Sequence, residues 1–217
     1  MSVRVRYEKE LKGITDNLVL MCRHIEVAIE NCVKALKSRD AGLAREVFES
    51  DKVIDKMERD IEQSCLKILM MEHPVASDFR EVSAVLKMIT DLERIGDQAR
   101  DIAEITMQSG DDEYINKLAH IQQMAVIVIQ MVKDGVGAYI NRDIELARSL
   151  DRTDDKVDEL FNVVMGDLIA LIKKNPENAE QAVMFFMINK YLERIGDHAV
   201  NIGEWVEYAI TGDHPGS

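Results

Sequence analysis

The pentapeptide Glu-Arg-Ile-Gly-Asp stands at residues 93–97 and again at residues 193–197 of this 217-residue chain. Longer stretches repeat around it. DLERIGDQARDIAE (91–104) aligns with YLERIGDHAVNIGE (191–204) at an offset of 100, and DKVIDKME (51–58) aligns with DDKVDELF (154–161) at an offset of 103. Asp40-Ala-Gly-Leu-Ala-Arg aligns with Asp143-Ile-Glu-Leu-Ala-Arg at that same offset of 103. An internal duplication means that one unit has to be explained and is then used twice.

Each unit reads as three long helices. In the first, Leu11, Ile14, Leu18, Met21, Ile25, Ala28, Ile29, Cys32 and Leu36 recur at spacings of three and four, which predicts a helix over residues 4–37. Ser38-Arg39-Asp40 offers an N-cap for a second helix running to about Met71, where His73-Pro74 stops it. Ser77-Asp78, with Glu81 placed for a capping box, opens a third that ends near Gln108, before the turn at Ser109-Gly110-Asp111-Asp112. The second unit repeats the plan: a helix from about Glu113 to Ile140, a turn at Asn141-Arg142-Asp143, and a helix to Lys174. Asn175-Pro176 stops that one, a last helix runs from about Glu177 to Ile210, and the tail from Thr211 is expected to be loose.

Only 11 glycines and 3 prolines interrupt the chain, and 31% charged residues with 5% aromatics suit amphipathic helices. Short connections make neighbouring helices antiparallel. The expected fold is therefore all-α: two tandem, sequence-related three-helix bundles, residues 1–110 and 111–217.

A net charge of −13 argues against nucleic acid, whose recognition needs a basic face. It fits cation binding, docking on a basic protein, or a plain solvated surface. Cys22, Cys32 and Cys65 have no CxxC spacing and read as free thiols in a reducing cytoplasm. The N-terminal MSVRVRYEKEL has no apolar h-region, so no signal peptide is expected, and no stretch approaches the ~20 apolar residues of a membrane span.

Carboxylates gather on particular helix faces. Residues four apart on a helix lie one above the other, about 5–6 Å between Cβ atoms. Glu93 and Asp97 form such a pair, with Asp101 a turn further on; Glu193 and Asp197 form its counterpart, with Asn201 in the place of Asp101. The preceding helix of each unit carries Asp51 with Asp55, or Asp154 with Asp158. Like charges at this spacing cost a few tenths of a kcal/mol per pair. A hard cation such as Mg²⁺, Mn²⁺, Ca²⁺ or iron is a natural counter-charge for carboxylate oxygens. Gly96 and Gly196, each costing about 1 kcal/mol in helix propensity against alanine, fit either a close helix approach or room for an ion. Solvated acidic faces and simple helix packing are the competing explanations. His198 is placed for an extra ligand or an interface, Met184-Phe185-Phe186-Met187 reads as core, and Trp205 and Tyr208 read as packing or a contact surface.

There is no Glu-x-x-His of a di-iron bundle, no Walker A sequence, no GxGxxG after a strand and no GxSxG. No catalytic constellation emerges, and the chain is not expected to be an enzyme.

The tandem LERIGD segments, the Asp-x-x-x-Asp pairs, the HPVASDFR stretch and the closing NIGEWVEY together resemble the PhoU family of phosphate-specific transport system accessory proteins. The resemblance covers roughly residues 5–212. It implies six helices in two bundles, with metal held by the E/DxxxD motifs: iron or zinc in some members, magnesium or manganese in others. Carried over by position, the first patch is Asp51, Asp55, Glu93 and Asp97 with Asp101 nearby; the second is Asp154, Asp158, Glu193 and Asp197, with Asn201 replacing the outer carboxylate. Arg80, Arg94 and Arg194 are candidates for partner or anion contact. The resemblance implies negative regulation of the phosphate-starvation response. It also implies docking on the ATPase subunit of the phosphate ABC transporter and on a sensor histidine kinase, a cytoplasmic location peripheral to the inner face of the membrane, and room for a homodimer. A metal-free helical adaptor and a carboxylate-bridged metalloenzyme are the alternatives.

Overall fold

Tight turns with the same construction begin the second helix of each repeat. The computed structural model describes residues 3–71, 75–109 and 118–213, in which α1 (Val3–Ser38) leads into α2 (Ala41–Met71), and α4 (Leu118–Asn141) into α5 (Ile144–Lys174). At the first turn Arg39 adopts a left-handed φ of 56°, and at the second Arg142 adopts 52°. The Asp40 N–H donates to the Ala35 carbonyl at 2.9 Å and the Asp143 N–H to the Ala138 carbonyl at 2.9 Å, closing the preceding helix. Each aspartate then accepts from the backbone N–H three residues on: Asp40 from Leu43 at 2.9 Å, Asp143 from Leu146 at 3.0 Å. These are the N-caps, and they satisfy donors that a helix start leaves without partners.

The third helices are α3 (Ala76–Gln108) and α6 (Ala179–Thr211), the latter preceded by a 3-10 turn at Pro176–Asn178. The start of α3 departs from expectation. Val75 is the N-cap residue, and its N–H donates to the Asp78 carboxylate at 3.4 Å. Asp78 also accepts two bonds from Arg4, at 2.8 and 2.9 Å, whereas Glu81 pairs with Arg142 at 3.4 Å. Asp78 sits at the third helical position, so it, and not Glu81, reaches back to the cap. Before α6, Asn175 accepts from the Glu177 N–H at 3.1 Å, which turns the expected helix start into the 3-10 turn. Gly212, with φ of 84°, ends α6 by donating to the Tyr208 carbonyl at 2.9 Å. The His73-Pro74 stop, the Gly110–Asp112 part of the loop, the 110/111 boundary, residues 113–117 and residues 214–217 of the tail lie outside the described residues.

Within each repeat every helix packs on the other two, and α3 on α6 and α1 on α4 join the repeats; among the described residues α2 and α5 meet neither each other nor the opposite repeat. The antiparallel α3–α6 pair is the centre of the molecule. Met88, Ile89, Leu92, Ile95, Ala99 and Ile102 of α3 and Ile188, Leu192, Ile195, Ala199, Ile202 and Val206 of α6 are all essentially inaccessible. Burying each large aliphatic side chain contributes roughly 1.5–3 kcal/mol, so this seam fixes how the bundles meet. Cys22, Cys32 and Cys65 are free and buried, and burial pushes each thiol up to about 12. No helix among the described residues is long and apolar enough to cross a membrane.

Candidate metal centres in two acidic patches

Because α2 and α5 sit on the outside, the groove between α2 and α3 and the groove between α5 and α6 each join an Asp-x-x-x-Asp pair to an ERIGD stripe. The glycines of the stripes make this approach possible. A Cβ on Gly96 would lie 3.0 Å from Ile54 Cδ1 and 3.6 Å from Asp51 Oδ1. On Gly196 it would collide with Asp154 Oδ1 and lie 3.6 Å from Val157 Cγ1. Asp51 and Asp154 thus face equivalent glycines, which fixes the register of the second pair despite the neighbouring Asp151 and Asp155.

In the first patch Asp51 is buried and Asp55 and Glu93 are partly so. A residue outside both stripes organises them. Arg100 donates to Asp51 at 2.9 Å and to Asp101 at 3.0 Å, and it also bonds Asp97. Arg94 adds Asp97 at 3.2 Å and Glu93 at 3.6 Å, although it is largely exposed. Burial pulls the Arg100 guanidinium down, but its bonds to Asp51 and Asp101 and the charges around it raise it above its ordinary value. Burial raises the Asp51 carboxyl in spite of Arg100, and raises Glu93 with help from Asp97. Asp51 Oδ1 is buried and without a hydrogen-bond partner.

The second patch lacks that arginine, because Val200 occupies the register of Arg100. Lys190 binds both oxygens of Glu193 at 2.6 Å. Among the described residues no cation pairs with Asp154, Asp158 or Asp197. Asp154 Oδ1 is buried and unpartnered. Burial, followed by the charges of Asp197, Asp158, Glu193 and Asp151, pushes the Asp154 carboxyl up to about 7. Burial and Glu193 raise Asp197 as well. An acid that keeps its proton this far above its ordinary range is one whose charge has no local compensation.

Two of the sequence-predicted ligands face elsewhere. Asn201 donates to Asp91 at 3.2 Å and His198 Nδ1 lies 2.9 Å from the same oxygen, so both sit at the α3–α6 seam. Asp101 drifts the same way: it is near Tyr191, whose hydroxyl burial and Asp101 both raise. Each four-residue step turns a helical stripe by about 40°, so the third member stands at the edge of the groove toward the seam, where Asp101 still meets Arg100 and Asn201 meets Asp91.

A model of the PhoU domain matches residues 18–106 and 121–206, once in each repeat. The chain belongs to the PhoU family. It is 32% identical to the phosphate-specific transport system accessory protein PhoU homolog of Clostridium acetobutylicum, over 95% of this chain and 94% of that one. The homolog from Borreliella burgdorferi is 33% identical over 97% of each chain. Among solved structures, PhoU from Pseudomonas aeruginosa superposes with a TM-score of 0.90 at 32% identity, covering 95% of this chain and 100% of that one. The phosphate transport system regulatory protein PhoU from Streptococcus pneumoniae gives 0.89 at 25% identity, covering 95% and 98%.

The donor sets of this PhoU-family chain can be weighed against the metals that the sequence resemblance implies. As the side chains stand, no three His, Cys, Asp or Glu groups among the described residues gather closely enough to hold an ion. Carboxylates of one sign repel, so ion binding needs Asp158, Glu193 and Asp197 to rotate toward Asp154. All three are at least partly accessible, and the orphaned Asp154 Oδ1 supplies a fixed donor. Oxygen donors with no competing cation fit a hard ion. The first patch fits less well, since a guanidinium already holds Asp51, Asp97 and Asp101. Neither Arg80 nor Arg194 joins a patch: the Arg80 guanidinium lies against Gly212, where a Cβ would stand 3.0 Å from Nη1, and Arg194 is exposed.

Proposed function

We propose that the chain is an accessory protein of phosphate-specific transport that restrains phosphate uptake and the phosphate-starvation response. It acts as a helical scaffold at the cytoplasmic face of the membrane, between the ATPase subunit of the phosphate ABC transporter and a sensor histidine kinase. The observation that carries this is its likeness, over nearly its whole length, to relatives described as phosphate-specific transport system accessory proteins. The reading gives the protein no catalytic step.

Within it, the second patch is the metal centre, held by Asp154, Asp158, Glu193 and Asp197; iron, zinc, manganese and magnesium are the candidate ions. A bound ion would neutralise the patch and draw the carboxylates of α5 and α6 together, setting the face offered to a partner. A metal-free adaptor is the second reading, favoured by the absence of any assembled three-donor group among the described residues.

The regulatory role is tested with a phosphate-starvation reporter in phosphate-rich medium, in a host whose own copy is deleted. Expression should rise on deletion and be silenced again by the wild-type chain, but not by E193Q/D197N. No rise on deletion would refute the role. Full silencing by E193Q/D197N, with no metal in protein purified without chelator or affinity metal, would select the metal-free adaptor.

A further inference from the structure

The two repeats share their helices, turns and glycine contacts, yet one patch contains an arginine and the other does not. Arg100 bridges α2 to α3: one of its carboxylate partners, Asp51, comes from α2, and the other two, Asp97 and Asp101, come from α3. Its side chain is 31% exposed and that of Asp51 only 9%, so this is an inward-turned contact and not a surface pair. The planar fork of donors suits several carboxylates at once. It also occupies Asp51 and Asp97, the carboxylates through which an ion would bridge α2 to α3. A divalent cation entering there would have to expel the guanidinium or endure its like charge. At the matching register of α6 stands Val200, which packs on the core and offers no charge.

We propose that Arg100 is a tethered counter-cation that takes the place of metal in the first patch, so that the metal requirement of this chain is confined to the second. This rests on the metal reading of the second patch given above for its second half only. The first half, exclusion of ions by Arg100, stands independently. It makes the repeats functionally unequal: the charge of the α2–α3 groove is answered from within the chain, and that of the α5–α6 groove is answered only when an ion is present.

Equilibrium dialysis of the full chain against Mn²⁺, with bound metal counted by elemental analysis and helicity checked by circular dichroism, tests both halves. In the wild type D154N should abolish bound Mn²⁺ and D51N should leave it unchanged. R100V, which copies the second repeat, should bind additional Mn²⁺ that D51N then removes. R100Q serves the same purpose if R100V loses helicity, and R100K should gain less than either. If D51N strips Mn²⁺ from the wild type as D154N does, or if helical R100V and R100Q gain none, Arg100 does not stand in for metal. A wild type without Mn²⁺ beside an R100V that binds it would instead refute metal in the second patch and uphold the role of Arg100.

Discussion

The first and second acidic patches are built on the same backbone and differ in how their charge is answered. Asp51 and Asp154 each turn an unpartnered, buried Oδ1 toward a glycine of the facing helix. Asp51 has a guanidinium on its other oxygen; Asp154 has only carboxylates and a lysine committed to Glu193. The backbone of a repeat therefore decides where carboxylates meet, and a single position, 100 against 200, decides whether they need outside help.

Neutralising the two aspartates should break this comparison most visibly, because Arg100 answers the charge of Asp51 and no cation answers that of Asp154. D51N relieves a buried charge but takes one of three carboxylate partners from Arg100, so the two effects offset and the melting temperature should change little. D154N removes a charge that nothing pairs. In chelator-treated protein at pH 8 it should raise stability by on the order of 1 kcal/mol, a figure already reduced for solvent screening. Thermal melts of the two variants side by side decide this, and equal rises would mean that the patches are electrostatically alike.

The glycines come next. G196A drives a methyl group into Asp154 Oδ1, a short side chain with little freedom, and should cost about 1–3 kcal/mol. G96A meets only the ends of Ile54 at 3.0 and 3.1 Å. That side chain can re-orient, and alanine restores about 1 kcal/mol of helix propensity, so G96A should be nearly neutral. Equal losses in urea unfolding would show that the close approach of the helices, and not the position of Asp154, governs both sites.

Much of this was legible in the residues and some was not. The duplication, the Asp40 and Asp143 caps and the pairing of each ERIGD with an Asp-x-x-x-Asp follow from local sequence and helix geometry, and the structure places them so. The difference between the patches was visible at the wrong position. Asp101 against Asn201 stands out because it changes a carboxylate, but these residues have rotated toward the α3–α6 seam. Arg100 against Val200 is as plain a difference in the residues. Its importance depends on which carboxylates a long side chain can reach across a groove, and that is set by the position of α2. Likewise Arg80, a candidate for anion contact by sequence, lies against the end of α6, which only the packing of the two repeats brings beside it.

A smaller effect should appear in the pH dependence of the metal-free protein. The Asp154 carboxyl rises from 3.8 to about 7 on folding. Below about pH 4 both the folded and unfolded states hold the proton, and this group costs nothing. Between about 4 and 7 the unfolded state has released a proton that the folded state keeps, so stability falls as pH rises through that window. Above it the loss is complete. Asp51 shifts in the same direction, with Arg100 opposing the shift. D154N should therefore flatten the decline in melting temperature between pH 5 and pH 8 more than the loss of any first-patch carboxylate does. An unchanged slope in D154N would place the uncompensated charge elsewhere.

The last comparison should show no difference at all. Asp40 and Asp143 cap α2 and α5 with bonds of 2.9 and 3.0 Å, after turns whose central arginines share a left-handed φ. Neither cap touches a patch, so D40A and D143A should each cost about 1 kcal/mol, in the presence or absence of divalent ions. If D143A were much the more damaging, and added Mn²⁺ repaired it, then the whole of α5 would depend on its patch, well beyond the residues that line the groove. Equal and ion-independent losses would instead confine the asymmetry of the repeats to the surroundings of Asp51 and Asp154, where one arginine is present and the other is missing.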